Sequence, residues 1–161
     1  MNASLSPSAQ RVQDALAGAG LECTVVEHAT PARTSAEAAA ILGCSVAEIA
    51  KSLIFRCGEQ DAVLVIASGA NRVDERKVAA LVGRPIGKAD APRVRELTGY
   101  AIGGIPPLAH ATALPTLIDR DLLRYTLVYA AGGTPNAMFP IRPADLVRVS
   151  GGTIADVALL A

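Results

Sequence analysis

Lys51 is the residue whose surroundings first suggest chemistry. It interrupts the stretch EIAKSLIF, flanked by Ile49, Leu53, Ile54 and Phe55, in a chain with twelve arginines but three lysines. Two roles fit an ammonium in that setting. One is a charge at a helix C-terminus whose apolar stem lies along the core. The other is a compact cation held at a cleft edge against a phosphate or carbonyl oxygen. A second stretch, YAIGGIPPLAH from Tyr100 to His110, sets Gly103 and Gly104 beside Pro106 and Pro107. Glycine is costly to order and proline lacks an N–H, so this run suits neither a helix nor a central strand. AAGGTPNAMF repeats the pattern with Gly133, Thr134 and Asn136. A tight turn accounts for either loop taken alone. Two such loops, each with Gly-Gly near a proline and a polar residue, point to a shared pocket lined by backbone. His110 reads as a loop hydrogen-bonding group rather than a general base, and His28 as the end of a strand.

Other chemistries find little support. There is no G-x-S-x-G elbow, P-loop or H-E-x-x-H, and GAGLEC begins like a dinucleotide fingerprint before departing from it. The two histidines are far apart, so neither a metal centre nor another cofactor is expected. Cys23, Cys44 and Cys57 are dispersed and odd in number, which suits reduced thiols in the cytoplasm better than disulfides. The N-terminus lacks an unbroken apolar run behind a basic start, and AVLVIASGA is too short to span a bilayer. No signal peptide and no membrane partner are therefore expected.

At 161 residues and 51% hydrophobic, the chain is expected to form one domain over residues 1–161 with a real core. Apolar spacing predicts a first helix from about Ser8 to Ala19, with Val12 and Leu16 on one face, followed by a strand at CTVVEH. Thr34 with Glu37, and Ser45 with Glu48, have the spacing of capping boxes, and Gly43 should end the first of these helices. The second helix should be short, placing Lys51 at a helix-to-strand junction ahead of SLIFR. That strand should pair with AVLVIA across CGEQD. Asp74 and Asp90 can each cap a helix, the second stopping before Gly99. Strands are expected at YAI, PTLID, YTLVYAA and AMFPI, with a brief helix near Pro143 to Val147. This irregular mixture predicts an α+β fold with a mixed, largely antiparallel sheet.

These residues together resemble the YbaK-like aminoacyl-tRNA editing domains, a family related to the insertion domain of bacterial prolyl-tRNA synthetases. The resemblance rests on EIAKSLIF with Lys51, on SGANRVDERKVAALVG with Asn71, Arg72 and Asp74, on IGGIPPLAH and on AAGGTPN. The family's glycine followed four residues later by proline is matched by Gly103 and Pro107. The resemblance implies a strongly curved mixed sheet, nearly a barrel, ringed by helices. It also implies hydrolysis of the ester joining a wrong amino acid to the 3′ end of a tRNA, with the lysine matching Lys51 needed for catalysis. In that reading Lys51, Gly103 and Gly104 are catalytic. Asn71, Arg72, Pro107, His110, Gly133, Thr134 and Asn136 bind substrate, and the bare glycine backbone leaves room for the ester. Where some members carry a serine before the second glycine loop and an acid after it, this chain has AAGGTPNA, so amino-acid preference does not transfer.

The expected activity is that of a free-standing deacylase acting on mischarged tRNA, a proline acceptor carrying a small amino acid first among them. Prolyl-tRNA synthetase is a candidate partner. The alternative is a catalytically silent module that senses an aminoacyl group or docks on a synthetase. Charge is uneven despite a net of zero. Arg72, Arg76, Lys77, Arg84, Lys88, Arg93 and Arg95 face three acids between positions 72 and 95, either as a solvated helical surface or as a patch for phosphates. If acceptor-stem phosphates meet this patch, the double variant Arg72→Ala with Arg76→Ala should bind tRNA more weakly and flatten its salt dependence. A binding titration across a salt series checks this.

Overall fold

The computed structural model describes residues 4–160. Side-chain caps start most helices where the sequence places them. α1 (Pro7–Gly18) opens at Ser6, whose hydroxyl accepts from the Ala9 amide, and it buries Val12 and Leu16 completely. The chain then touches the sheet only briefly as β1 (Val26–Glu27). CTVVEH was expected to be a longer strand, but Gln13 of α1 captures its start. The Gln13 amide donates to the Cys23 carbonyl and accepts from the Val25 amide, so those backbone groups face a helix rather than a strand.

α2 (Ser35–Leu42) is capped by Thr34 and ends at Gly43. The Ser45–Glu48 capping box forms, yet it supports one 3-10 turn, Val46–Glu48. β2 begins directly at Ile49 and runs to Cys57. Lys51 is therefore the third residue of a strand, not a charge at a helix end. β3 (Asp61–Ser68) returns antiparallel over eight paired positions. α3 (Glu75–Val82) and α4 (Ala91–Thr98) start at Asp74 and Asp90 as expected, separated by the short β4 (Gly87–Lys88).

Tyr100 to Ile102 are not a strand. The Tyr100 amide donates to Thr98 Oγ1, its ring is buried, and its hydroxyl donates to the Ala109 carbonyl. The segment thus folds as a loop around its own tyrosine. β5 (Thr116–Asp119) leads into a 3-10 helix, Arg120–Arg124, that sequence patterning did not suggest, and β6 (Val128–Ala131) is correspondingly shorter than YTLVYAA. β7 (Ala137–Ile141), α5 (Pro143–Ser150) and β8 (Thr153–Ala155) complete the described chain.

The strands form one open, mixed sheet in the order β1-β7-β6-β2-β3-β5-β8, with β4 also on β2. Four contacts are antiparallel (β1–β7, β2–β3, β2–β4, β6–β7) and three parallel (β2–β6, β3–β5, β5–β8). β3 is buried on both faces, which explains its nearly unbroken apolar run. Leu64 and Ile66 pack with α1, α4 and α5 residues on one side, while Val63 and Val65 pack with Val78 and Val157 on the other. Met138 and Ile49 meet α2 through Ala38 and Ala39. No described helix is long and apolar enough to cross a membrane.

The two glycine loops are tied to each other: the Gly133 amide donates to the Gly104 carbonyl at 3.0 Å. A Cβ on Gly104 would sit 2.7 to 2.9 Å from Thr134 Cα, C and N. The space beside Gly104 is thus filled by the neighbouring backbone rather than left for a ligand. Gly104→Ala should lower stability by about 1–3 kcal/mol, because backbone cannot swing aside as a flexible side chain does. Urea denaturation of the variant measures it.

Candidate active site

β2 has one edge covered along its length by β3, but its other edge is interrupted. β6 pairs with Ile49 and Ala50, β4 pairs with Phe55 and Arg56, and among the described residues no strand covers the positions between. A cavity of about 330 Å³ opens at this break. Its walls are Lys51 to Leu53 of β2, Thr34 and Ser35 at the start of α2, Ile102, Gly103 and Ile105, and Pro135 and Met138. Apolar side chains dominate, and no histidine, cysteine or acid lines it.

Lys51 is partly buried and its Nζ donates to the Asn71 carbonyl at 2.8 Å. Burial lowers its pKa, and the nearby Asp119 carboxylate opposes that shift. Asn71 is held in turn. Its Nδ2 donates to Asp119 Oδ2 at 2.9 Å and to Asp121 Oδ2 at 2.8 Å. Asp119 is 1% exposed, and its carboxylate accepts from the Ser68 amide, from Asn71 and from the Asp121 amide. Three donors make a buried carboxylate tolerable. Asn71 therefore fixes the lysine through its backbone, while its side chain is committed to the acids.

Gly103 lines the same cavity as Lys51. Its φ is +96°, a conformation that favours glycine, and a Cβ there would meet only Pro135 Cγ at 3.7 Å. Its backbone is consequently approachable. The other glycines serve packing. A Cβ on Gly133 would reach 2.7 Å from the Ser8 carbonyl oxygen, so this residue lets α1 pack closely. Thr134 Oγ1 accepts from the Asn136 amide, and the Asn136 side chain donates to the His28 carbonyl, tying the loop to the segment that leads into α2. Pro135, between them, reaches the cavity where they do not.

Pro107 and His110 lie outside this cavity, lining a smaller cleft with Leu114 and Val149. His110 Nε2 is 2.6 Å from the Pro106 carbonyl oxygen, its ring meets Tyr100 edge-on, and burial lowers its pKa. Arg72 is exposed, and its carbonyl accepts from the Leu159 amide. Within the basic run, Lys77, Arg84 and Arg93 form ion pairs with Asp156, Asp61 and Glu96. Arg72, Arg76, Lys88 and Arg95 form none among the described residues. Sequence reasoning missed Asp119, Asp121 and Arg33, the last an exposed cation on the cavity wall. The acids had a signal: LIDRD puts a carboxylate at the end of an apolar strand, where it must either cap or be buried.

The arrangement has no paired nucleophile and base. It offers an oriented ammonium and an accessible glycine backbone, both from residues that line one mostly apolar cavity. Such fixed dipoles and charge suit the polarisation of an ester or phosphate oxygen and the positioning of water. Among the described residues, no group of His, Cys, Asp and Glu could hold a metal ion.

A family model, the aminoacyl-tRNA editing domain, matches residues 29–149. The uncharacterised protein YwhH of Bacillus subtilis (strain 168) is 32% identical over 129 residues, 80% of this chain and 82% of that protein. EbsC of Enterococcus faecalis (strain ATCC 700802 / V583), named as a candidate Cys-tRNA(Pro)/Cys-tRNA(Cys) deacylase, is 24% identical over 119 residues, 72% of this chain and 71% of its own. A crystal structure described as that of a candidate trans-editing enzyme for prolyl-tRNA synthetase superposes with a TM-score of 0.92 at 48% identity, covering 98% of this chain and 100% of the other.

Because desolvation outweighs the Asp119 attraction, Lys51 should lose its proton below the ordinary lysine range. The unfolded chain then binds more protons than the folded one over that interval, so this residue adds stability as pH rises through it. Asp119→Asn should push the Lys51 titration lower still. It should also destabilise the fold by about 1–3 kcal/mol, since one of two accepting oxygens becomes a donor. NMR titration of the lysine ε resonances reads this directly, with three lysines to assign.

Proposed function

The chain belongs to the aminoacyl-tRNA editing domain family, and from that premise we propose that residues 1–161 form one free-standing deacylase domain acting on tRNA(Pro) that carries a small, uncharged amino acid. The observation that carries the reading is that Lys51 and the bare backbone of Gly103 line one cavity at the break in β2. In the reaction a water adds to the ester carbonyl carbon, the carbonyl oxygen becomes anionic, and the ribose oxygen leaves with a proton. The products are the free amino acid and the tRNA. One Nζ proton of Lys51 is committed to Asn71, leaving two for a phosphate or the charged oxygen. Gly103 lets the ester and terminal ribose approach where a Cβ would intrude, and Pro106 and Pro107 stiffen the loop behind it.

The wall residues Ala38, Ile49, Leu53 and Met138 favour a compact apolar side chain, and the absence of an acid from the walls disfavours a basic one. Arg33 beside the cavity, with exposed Arg72 and Arg76, supplies cations for the tRNA phosphates. The names of two relatives, each pointing to a proline acceptor or its synthetase, support tRNA(Pro) as the substrate and prolyl-tRNA synthetase as a partner.

Deacylation assays over a panel of aminoacyl-tRNAs should find hydrolysis of small mischarged residues on tRNA(Pro). Lys51→Met keeps the stem's bulk and should lose about 10²-fold in turnover, the scale of other preorganised electrostatic groups, while folding and tRNA binding change less. A folded Lys51→Met protein working at the wild-type rate would remove the lysine from the chemistry. Binding without turnover across the whole panel would favour a sensing module instead.

A further inference from the structure

The break in β2 exposes something more specific than space. The Gly69 amide donates to the Ile49 carbonyl, which fixes the alternation of the β2–β3 ladder. The backbone groups of Ile49, Lys51, Leu53 and Phe55 face β3, and those of Ala50, Ser52, Ile54 and Arg56 face the opposite edge. Ala50 is met there by β6 and Arg56 by β4. Ser52 faces the break and lines the cavity, and among the described residues its amide donates to no loop and its carbonyl accepts from none. Its hydroxyl is also without a partner. A polar backbone pair in an apolar recess calls for a ligand that satisfies it.

The occupant must be short. The gap spans Lys51 to Ile54, closed at one end by β6 and at the other by β4, so a strand from another chain cannot enter it. An aminoacyl ester has the matching pattern. Its α-ammonium is a donor and its carbonyl oxygen an acceptor, separated as in one residue of a strand. Resting on the deacylase reading, we propose that the amino acid docks on the Ser52 edge as a one-residue β-strand. The Ser52 amide donates to the ester carbonyl oxygen and the Ser52 carbonyl accepts from the α-ammonium. Lys51 and Gly103, which line the same cavity, are then beside the docked ester. Recognition through backbone leaves the amino-acid side chain to the apolar walls, as in other strand-addition sites.

The test is amide exchange by NMR, with 3′-deoxy-3′-(L-alanylamino)adenosine as a non-hydrolysable probe. In the free protein the Ser52 amide should exchange about 10²-fold faster than that of Leu53, and saturating probe should slow it about tenfold or more. The propionylamino analogue, which lacks the α-nitrogen, should bind about tenfold more weakly, the loss of one charge-assisted hydrogen bond. Ser52→Pro removes the outward N–H and leaves the β3 ladder, so it should lose deacylation about 10²-fold at near-normal melting temperature. Ser52 protection equal to that of Leu53 in the free protein would overturn the proposal. So would an unchanged Ser52 amide while Gly103 and Ile105 shift on binding, an outcome that spares the deacylase reading. No shift anywhere at saturating probe would overturn both. The exchange arm decides the matter even where Ser52→Pro fails to fold.

Discussion

A carboxylate withdrawn from water must be given donors, and the way Asp119 obtains its own organises the site. It stands at the end of β5, almost fully buried, with the Ser68 amide, the Asn71 side chain and the Asp121 amide directed at it. The first anchors the end of β3, the second fixes the loop after it, and the third starts the 3-10 helix at Arg120. Removing any of these would leave charge unsatisfied in a poor dielectric. Asn71 is thereby held still, and its carbonyl holds Lys51. The lysine's position thus derives from a buried ion about fifty residues ahead of Ser68 and Asn71 in sequence (51 and 48 positions).

The second constraint lies between the glycine loops. Gly104 and Gly133 bring two backbones into contact, so the loop carrying Gly103 is braced by the loop carrying Pro135. Asn136 extends the brace to His28, ahead of α2, whose first residues form another wall. Three segments remote in sequence are therefore locked before any ligand arrives. Preorganisation of this kind is what electrostatic catalysis requires, because fixed dipoles need no reordering when charge develops.

How much of this could be read in advance follows from distance along the chain. Caps at Thr34, Asp74 and Asp90 depend on neighbours two or three residues away and all formed, although among the described residues Glu37 returns no bond to complete the box its spacing with Thr34 indicated. The β2–β3 hairpin was equally local. YAI and CTVVEH have strand-like composition, but Thr98 and Gln13 take their backbone groups, a competition that apolar alternation cannot reveal. Lys51 stood out because its chemistry clashed with its surroundings. Its setting inside a strand was hidden, since the Ser45–Glu48 box yields a single 3-10 turn. The paired glycines announced a backbone-lined pocket, yet only the geometry separates Gly103, which faces the cavity, from Gly104 and Gly133, which face protein. The edge break could not be read at all, because it depends on where β6 and β4 stop.

The clamp at the end of the chain bears on the order in which the molecule comes together. The Asp74 amide donates to the Val157 carbonyl, the Leu159 amide to the Arg72 carbonyl, and Lys77 Nζ to the Ala158 carbonyl 81 positions away. These bonds hold the stretch just after Asn71. During synthesis the β2–β3 hairpin can close as soon as Ser68 emerges, because its contacts are local. The parallel pairing of β5 with β3 and then of β8 with β5 must wait for most of the chain. Lys51 is therefore present early, but the Asn71 whose carbonyl orients it is held only once Asp119 and Asp121 have been made. A nascent chain lacking residues 157–159 has the Asp119 and Asp121 contacts to Asn71 available, but not the bonds that hold Arg72, Asp74 and Lys77 beside it.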